Sequence, residues 1–424
     1  MRDLIFLIVW AGSLPLILLR PWTGILVWSW IGYMNPHMLG WGAVRTLPVA
    51  MAVGLVTLVA LVFTRDRKSI PWSAEMVILL LLTIHFTVTT YFAWAPDAAW
   101  AQWDKVMKIL LFTFITPMLI FGRNRIHALL MVIALSIGFY GLKGGIFSVL
   151  TGGAYRVWGP GNSFIGDNNS LGLAMIMVLP MLIFLAREET RVWLRRSLYV
   201  IAAFTVIATI FTYSRGAFVG LACVAPFLFF NFKKKFLVLL IFVPIGFLSL
   251  QLLPDAVYER AGMIRTYEED ASAMGRIQAW GAAYNIANAF PLTGGGFQNY
   301  VARDSWYEFA NPDLLFGHVV PRAPHSIYFD ILGDHGWVGF GLFSSLLVVV
   351  MLRLRRLRKL ALSMPSMGWV GNYALCIQIS LIGYMTTGTF LSRAYFDLFY
   401  ALVALTVILH REMSEALERE KNFL

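Results

Sequence analysis

The chain has 424 residues, of which 59% are hydrophobic and 13% are Asp, Glu, Lys or Arg, against about 25% charged in a soluble domain. Apolar runs recur from residue 4 to residue 410, and the formal net charge is +11. This excludes a soluble enzyme, a disordered chain and a secreted disulfide scaffold, and implies an all-α polytopic membrane protein.

A membrane-crossing helix needs about 20 apolar residues and satisfies its own backbone hydrogen bonds in lipid. The sequence predicts helices over 4–19, 22–34, 46–63, 72–94, 106–122, 128–150, 170–186, 197–213, 216–231, 236–253, 326–352, 367–391 and 395–410. Only Arg20 and Pro21 separate the first two, which are expected to form one span plus a re-entrant piece, giving about twelve spans. Segment 4–19 follows a single basic residue, Arg2, and is expected to be a retained span rather than a cleaved signal peptide.

The positive charge falls in short groups between these runs: Arg65, Arg67 and Lys68; Arg123 and Arg125; Arg187, Arg191, Arg195 and Arg196; Lys233, Lys234 and Lys235; Arg353, Arg355, Arg356, Arg358 and Lys359; and Arg411, Arg419 and Lys421 in the tail. Lys and Arg in short loops mark the cytoplasmic side, so the charge reads as topology and no nucleic-acid partner is expected. The remaining loops, roughly 35–45, 95–105, 151–169, 213–216, 254–325 and 391–396, then face the other side. Trp94, Trp100, Trp103, Trp158, Tyr213, Trp306 and Tyr395 fall there, as interfacial aromatics do. Cys223 and Cys376 lie inside apolar runs and read as small hydrophobes.

The loop 254–325 is far longer than ordinary connections. It divides the chain into an N-terminal transmembrane bundle over 1–253, a large external loop over 254–325, and C-terminal helices with a cytoplasmic tail over 326–424. Within the loop, 272–290 has helical spacing, with Ile277, Trp280, Tyr284 and Ala287 on one face. Pro291 stops that helix, and Gly294, Gly295 and Gly296 predict a flexible turn. Polar residues deep in the spans reduce to His85, read as a helix-to-helix hydrogen bond, and Gln378. Chemistry is therefore expected at the external surface and not along a transport path.

Three external residues suit that chemistry. Arg215 lies in the turn Tyr213-Ser214-Arg215-Gly216, Arg276 opens the loop helix, and His325 precedes the next long helix. Two arginines can hold a diphosphate through charge-assisted hydrogen bonds and stabilise it as it departs. A histidine at a helix N-terminus near cations has its charged form disfavoured, and can take a proton from a hydroxyl near pH 7. No metal or cofactor set is read in the sequence. Arg156, Trp158 and the pair Asn168 and Asn169 suit a sugar, while Lys143, Arg265, Arg303 and Arg322 are further cations for phosphate. The acidic run Glu268-Glu269-Asp270 is not read as a cation site.

The run from Gly275-Arg276 to Trp280, then Pro291-Leu292-Thr293-Gly294-Gly295-Gly296, then His325-Ser326, Phe329, Leu332, Asp334 and Gly336 resembles the O-antigen ligase and polymerase superfamily. Ser326 departs from the Asn that many members carry after the histidine. The resemblance implies a GT-C-like glycosyltransferase of the Gram-negative inner membrane with a periplasmic active site and no metal. It implies transfer of a glycan from undecaprenyl diphosphate to lipid A–core with inversion, Arg215 and Arg276 holding the diphosphate and His325 activating the acceptor hydroxyl. No obligate protein partner is expected. A polymerase, a protein O-oligosaccharyltransferase and a lipid-linked glycan transporter remain open at this stage.

Overall fold

The computed structural model describes residues 2–161, 163–231, 271–310 and 320–423, and every regular element among them is helical. The helices are α1 (Arg2–Leu19), α2 (Trp22–Met34), α3 (Val49–Phe63), α4 (Ala74–Tyr91), α5 (Pro96–Leu119), α6 (Gly122–Leu150), α7 (Asn168–Glu188), α8 (Val192–Ile210), α9 (Arg215–Phe230), α10 (Ala271–Ala289), α11 (Arg303–Phe309), α12 (Ile327–Ser363), α13 (Gly368–Gly388) and α14 (Asp397–Phe423). The expected segment 236–253, Lys233 to Lys235, Arg265 and the run Glu268 to Asp270 lie outside the described residues.

Six of these helices, α1, α4, α6, α7, α8 and α12, are long and apolar enough to cross a membrane, and α3 and α9 are shorter apolar helices. The chain is thus an α-helical, multi-pass membrane protein. By this measure the described residues give fewer spans than the sequence suggests. α2 has only 13 residues, and α5 carries Asp97, Asp104, Lys105 and Lys108. α5 also begins ten residues before its expected start at 106, so most of the loop expected over 95–105 is helical. Pro96 at its first position suits a helix start, because the missing N–H would have no helical partner there.

α7 is the central helix, buried along nearly its whole length and packed against α6, α8, α9 and α13. The basic loops gather at one end of the bundle. Arg125 pairs with Asp66 at 2.6 Å and Arg123 with Glu188 at 2.8 Å, while Lys68 pairs with Glu415. At the opposite end the Trp94 N–H donates to the Gly295 carbonyl at 3.0 Å, the Val157 N–H donates to Phe211 at 2.9 Å, and Arg393 pairs with Asp167 at 3.0 Å. Cys376 is buried and Cys223 half-buried, both as free thiols.

α10 matches the helix expected over 272–290, but it buries a different face. Met274, Gln278, Ala279, Ala282, Ala283, Ile286 and Ala287 point inward, whereas Tyr284 is 48% exposed. Small residues let two backbones approach closely, and a Cβ at Gly333 of α12 would stand 3.0 Å from that of Ala283. Trp306, expected at the interface, is buried in the same satellite core with Ala279 and Ile286.

α12 is interrupted at Gly336, where φ is 64° and ψ is −168°. The glycine turn expected to be flexible is docked on this break: the N–H groups of Gly295 and Gly296 donate to the carbonyls of Gly333 and Asp334 at 3.0 and 2.9 Å. A Cβ at Gly336 would lie 2.5 Å from the Pro291 carbonyl oxygen, and one at Gly294 would lie 2.6 Å from that of Gly333. Both glycines have positive φ. Gly336→Ala and Gly294→Ala should each lower thermal stability by more than the roughly 1–2 kcal/mol that left-handed backbone costs an L-residue. Thermal unfolding in detergent checks this, and an unchanged transition would contradict the docking.

Candidate active site

At the end opposite the basic loops lies a cavity of about 310 Å³. α5 supplies Gln102, the start of α7 supplies Asp167 and Asn169, and α10 supplies Arg276. Gln298 and Tyr300 follow the glycine turn, His325 precedes α12, Asp330 and Asp334 lie on α12, and Ser392, Arg393 and Tyr395 come from the turn between α13 and α14. Four non-glycine residues among those described have positive φ: Asn35, Tyr213, Gln298 and His325. Two of the four line this cavity, as expected where a site over-determines its backbone.

His325 has φ of 52°, and its flanking groups are tied down. The Trp280 indole N–H donates to the Pro324 carbonyl at 2.7 Å, and the Trp280 ring stacks on Phe329 at 5.1 Å. The His325 main-chain N–H donates to Ser392 Oγ at 2.8 Å, and that hydroxyl donates to Asp330 Oδ1 at 2.8 Å. Burial holds the imidazole pKa below the ordinary value of 6.5, and the charges of Arg276, Arg322 and Arg393 push it the same way, against Asp167. The ring is therefore neutral near pH 7.

The cations are placed by different means. Arg276 is half-buried on the first turns of α10 and lines the cavity. The Arg322 guanidinium rests against Gly275, where a Cβ would stand 2.3 Å from its Nη1. Arg393 donates through Nε to Ser170 Oγ at 2.7 Å and through Nη2 to Asp167 Oδ2 at 3.0 Å. Asp167 meanwhile caps α7, accepting from the N–H groups of Asn169 and Ser170 at 3.0 and 2.9 Å. Arg276 and Arg393 thus line the cavity together with Asp167, and Arg322 lies close enough for its charge to act on His325.

The acids on α12 are committed to hydroxyls. Asp334 accepts from Asn299 Nδ2 and from the Tyr395 hydroxyl, both at 2.8 Å. Burial and the nearby carboxyls of Asp334 and Asp330 raise the Tyr395 pKa, so its phenol stays protonated. Tyr395 Oη is also 2.9 Å from His335 Nε2, and His335 Nδ1 is 2.6 Å from Thr89 Oγ1 on α4. This buried chain joins α4, α12 and the turn before α14. The expected helix-to-helix role of His85 is present too, its Nε2 lying 3.0 Å from the His335 carbonyl.

Among the residues singled out from the sequence, the structure brings Arg276, His325 and Arg322 together. Arg215 is exposed at the start of α9 and does not line the cavity, although a Cβ at the adjoining Gly216 would meet Thr387 and Phe390, the latter a lining residue. Asn168 is committed elsewhere, its Nδ2 donating to the Thr212 carbonyl at 2.9 Å, and its neighbour Asn169 is the one facing the cavity. Arg156 lies 5.7 Å over the exposed Trp158 ring, Lys143 and Arg303 are exposed, and Arg265 is outside the described residues.

Sequence reading gives no site role to Asp330, Asp334, Ser392, Arg393 and Tyr395, although Asp334 stands in the family-like motif and Tyr395 among the interfacial aromatics. Their signal was present: ionisable residues inside or beside apolar segments are functional candidates by default. Asp330 and Asp334 were absorbed into the segment 326–352, and Arg393 into a short loop.

Residues 198–344 match the family model described as O-antigen ligase, and residues 1–190 match a family of unknown function, DUF5935. No curated protein matches the chain. Residues 198–344 are thus the part of the chain that is similar to the O-antigen ligase family. Arg276, His325, Asp330 and Asp334 fall in the first match and Gln102, Asp167 and Asn169 in the second, while Ser392, Arg393 and Tyr395 lie beyond both.

Arg276→Gln removes one cause of the depressed His325 pKa, so the value should rise towards 6.5. Histidine NMR titration of the purified protein, with His325→Gln to assign the signal, checks this. A titration unmoved in Arg276→Gln would show that this guanidinium does not act on the ring.

Proposed function

We propose that the protein is an O-antigen ligase, which transfers a glycan from undecaprenyl diphosphate to lipid A–core. The observation that carries this reading is the imidazole of His325, depressed in pKa and held in a cavity among Arg276, Arg322 and Arg393. Similarity to the O-antigen ligase family supplies the reaction class. The site is assigned to the periplasmic face of the inner membrane of a Gram-negative bacterium, because the opposite end gathers the basic loops. About twelve spans and a GT-C-like architecture belong to the same proposal.

The chemistry follows from the arrangement. An acceptor hydroxyl oxygen attacks the anomeric carbon of the donor, and its proton passes to the neutral His325 ring. The bond from that carbon to the diphosphate oxygen breaks, and its electron pair leaves with the diphosphate. Displacement from the far side inverts the anomeric centre. Negative charge growing on the departing oxygen is stabilised by Arg276, which lines the cavity, and by Arg322 beside it, with Arg215 assigned to the diphosphate outside the lining. Preorganised cations can do this because they need no reorientation as charge develops. The reaction is proposed to need no metal ion.

Purified protein in detergent, given an undecaprenyl-diphosphate glycan and lipid A–core in EDTA, should yield a glycan-bearing lipid of lower gel mobility. His325→Ala should lose about 10²–10⁴-fold in turnover, and Arg276→Ala about 10²–10³-fold, with folding retained. In wild type, turnover should hold to below pH 6.5 and fall as the ring protonates; in Arg276→Gln that fall should begin at higher pH. Retained activity in His325→Ala would sink the base assignment. Growth of the lipid-linked glycan itself, with none on lipid A–core, would make the protein a polymerase.

A further inference from the structure

The reading of His325 as the base leaves open what holds it there, and three features of the site bear on that. A left-handed φ is uncommon for a residue with a Cβ, and it persists only where the surroundings enforce it. At His325 the enforcing contact on the N–H side is a side chain from a distant part of the chain, Ser392, 67 residues away. Ser392 Oγ accepts from the His325 N–H and donates its own hydrogen to Asp330 Oδ1. Asp330 is 7% exposed, and its main-chain N–H donates to the Ser326 carbonyl at 2.8 Å, one residue past His325. The loop Ser392–Asp330–Ser326–His325 is therefore closed by hydrogen bonds.

The turn that carries Ser392 is itself fixed on both sides. Arg393 binds Asp167 and Ser170 at the start of α7. Tyr395 binds Asp334, one helical turn beyond Asp330. Tyr384 on α13 adds a hydrogen bond from its hydroxyl to the Arg393 carbonyl at 3.0 Å. Ser392 thus transmits the position of a braced turn to the backbone of His325.

We propose that Ser392 is the positioning residue of His325, its hydroxyl holding the left-handed backbone that aims the imidazole into the cavity, with Asp330 fixing the direction of that hydroxyl. This rests on the reading of His325 as the base. Two consequences separate it from mere packing. The hydroxyl matters while the shape of the side chain does not. Asp330 matters as an acceptor, so an amide oxygen in its place serves as well.

The test compares Ser392→Thr with Ser392→Val, which have the same shape and differ in the hydroxyl. Transfer is assayed as above with the full-length protein in detergent. Ser392→Thr should keep turnover within a few-fold of wild type. Ser392→Val should lose about 10²-fold in kcat, the order expected when a reacting group is displaced by about 1 Å, with the donor KM within a few-fold. The His325 titration followed by NMR should shift in Ser392→Val and stay in Ser392→Thr, because a displaced ring meets the charges of Arg276, Arg322 and Arg393 differently.

Asp330→Asn against Asp330→Leu gives a second comparison if the valine variant does not fold. Asparagine should sustain turnover and leucine should lose it. Equal kcat and equal His325 titration in Ser392→Thr and Ser392→Val would overturn the inference alone. Loss of turnover in Asp330→Asn as deep as in Asp330→Leu would overturn the acceptor role and give Asp330 a charge-dependent one. Absence of transfer by wild type would overturn the reading of the reaction, and the inference with it.

Discussion

A main chain that leaves helical geometry inside a membrane protein frees carbonyl and N–H groups that lipid cannot satisfy. At Gly336 of α12 those groups are met by the turn from Pro291 to Gly296, which lays two N–H groups on the carbonyls of Gly333 and Asp334. The fit demands glycine on both sides, since a Cβ at Gly294 or Gly336 would enter the other segment's backbone. One side of the cavity is built around this contact. It fixes α10 against the first turns of α12, and so brings Arg276 to the same wall as His325. It also delivers Gln298, Asn299 and Tyr300 beside Asp334, where Asn299 completes the partners of the buried carboxyl.

The electrostatics follow from that placement. Arg276 and Arg322 come from the two sides of the 254–325 loop, and Arg393 from a third segment, so cationic charge converges without any local basic run in the sequence. Asp330 and Asp334 line the same cavity. Both acids accept from hydroxyls, Ser392 and Tyr395, that lock them into the scaffold. Asp167 is the one carboxylate ion-paired to an arginine of the cavity among the described residues, and it spends its other lone pairs capping α7.

Much of this was legible in the sequence where the signal is local. Apolar runs located the helices closely: α2 over Trp22–Met34 and α7 over Asn168–Glu188 differ from expectation by two residues at most. Arg276 and His325 were legible because their residue types suit the chemistry. The buried face of α10 was not, because bulk suggested Ile277, Trp280 and Tyr284, whereas close approach to Gly333 selects alanines. The glycine turn read as flexible because glycine permits many conformations; only the break it fills shows that one is used. Asn168 and Asn169 were indistinguishable in sequence, since which of them faces the cavity depends on where Asp167 caps the helix.

Ser392, Arg393 and Tyr395 were the hardest to see, and the reason is physical. Each acts through one or two hydrogen bonds to residues 60 or more positions away, and a short polar turn between apolar helices looks the same whether or not it does so. These residues also lie outside the region matched to the O-antigen ligase family, which ends at 344. The matched region thus contains the histidine and Arg276, but not the turn that fixes the histidine backbone. That division follows from the helical architecture: α12 must run the length of the bundle and α13 must return before the chain can meet its own N-terminal turn. A histidine set at a strained helix start is then braced by a return segment, and the apolar packing of α12 against α13 carries that brace into the site.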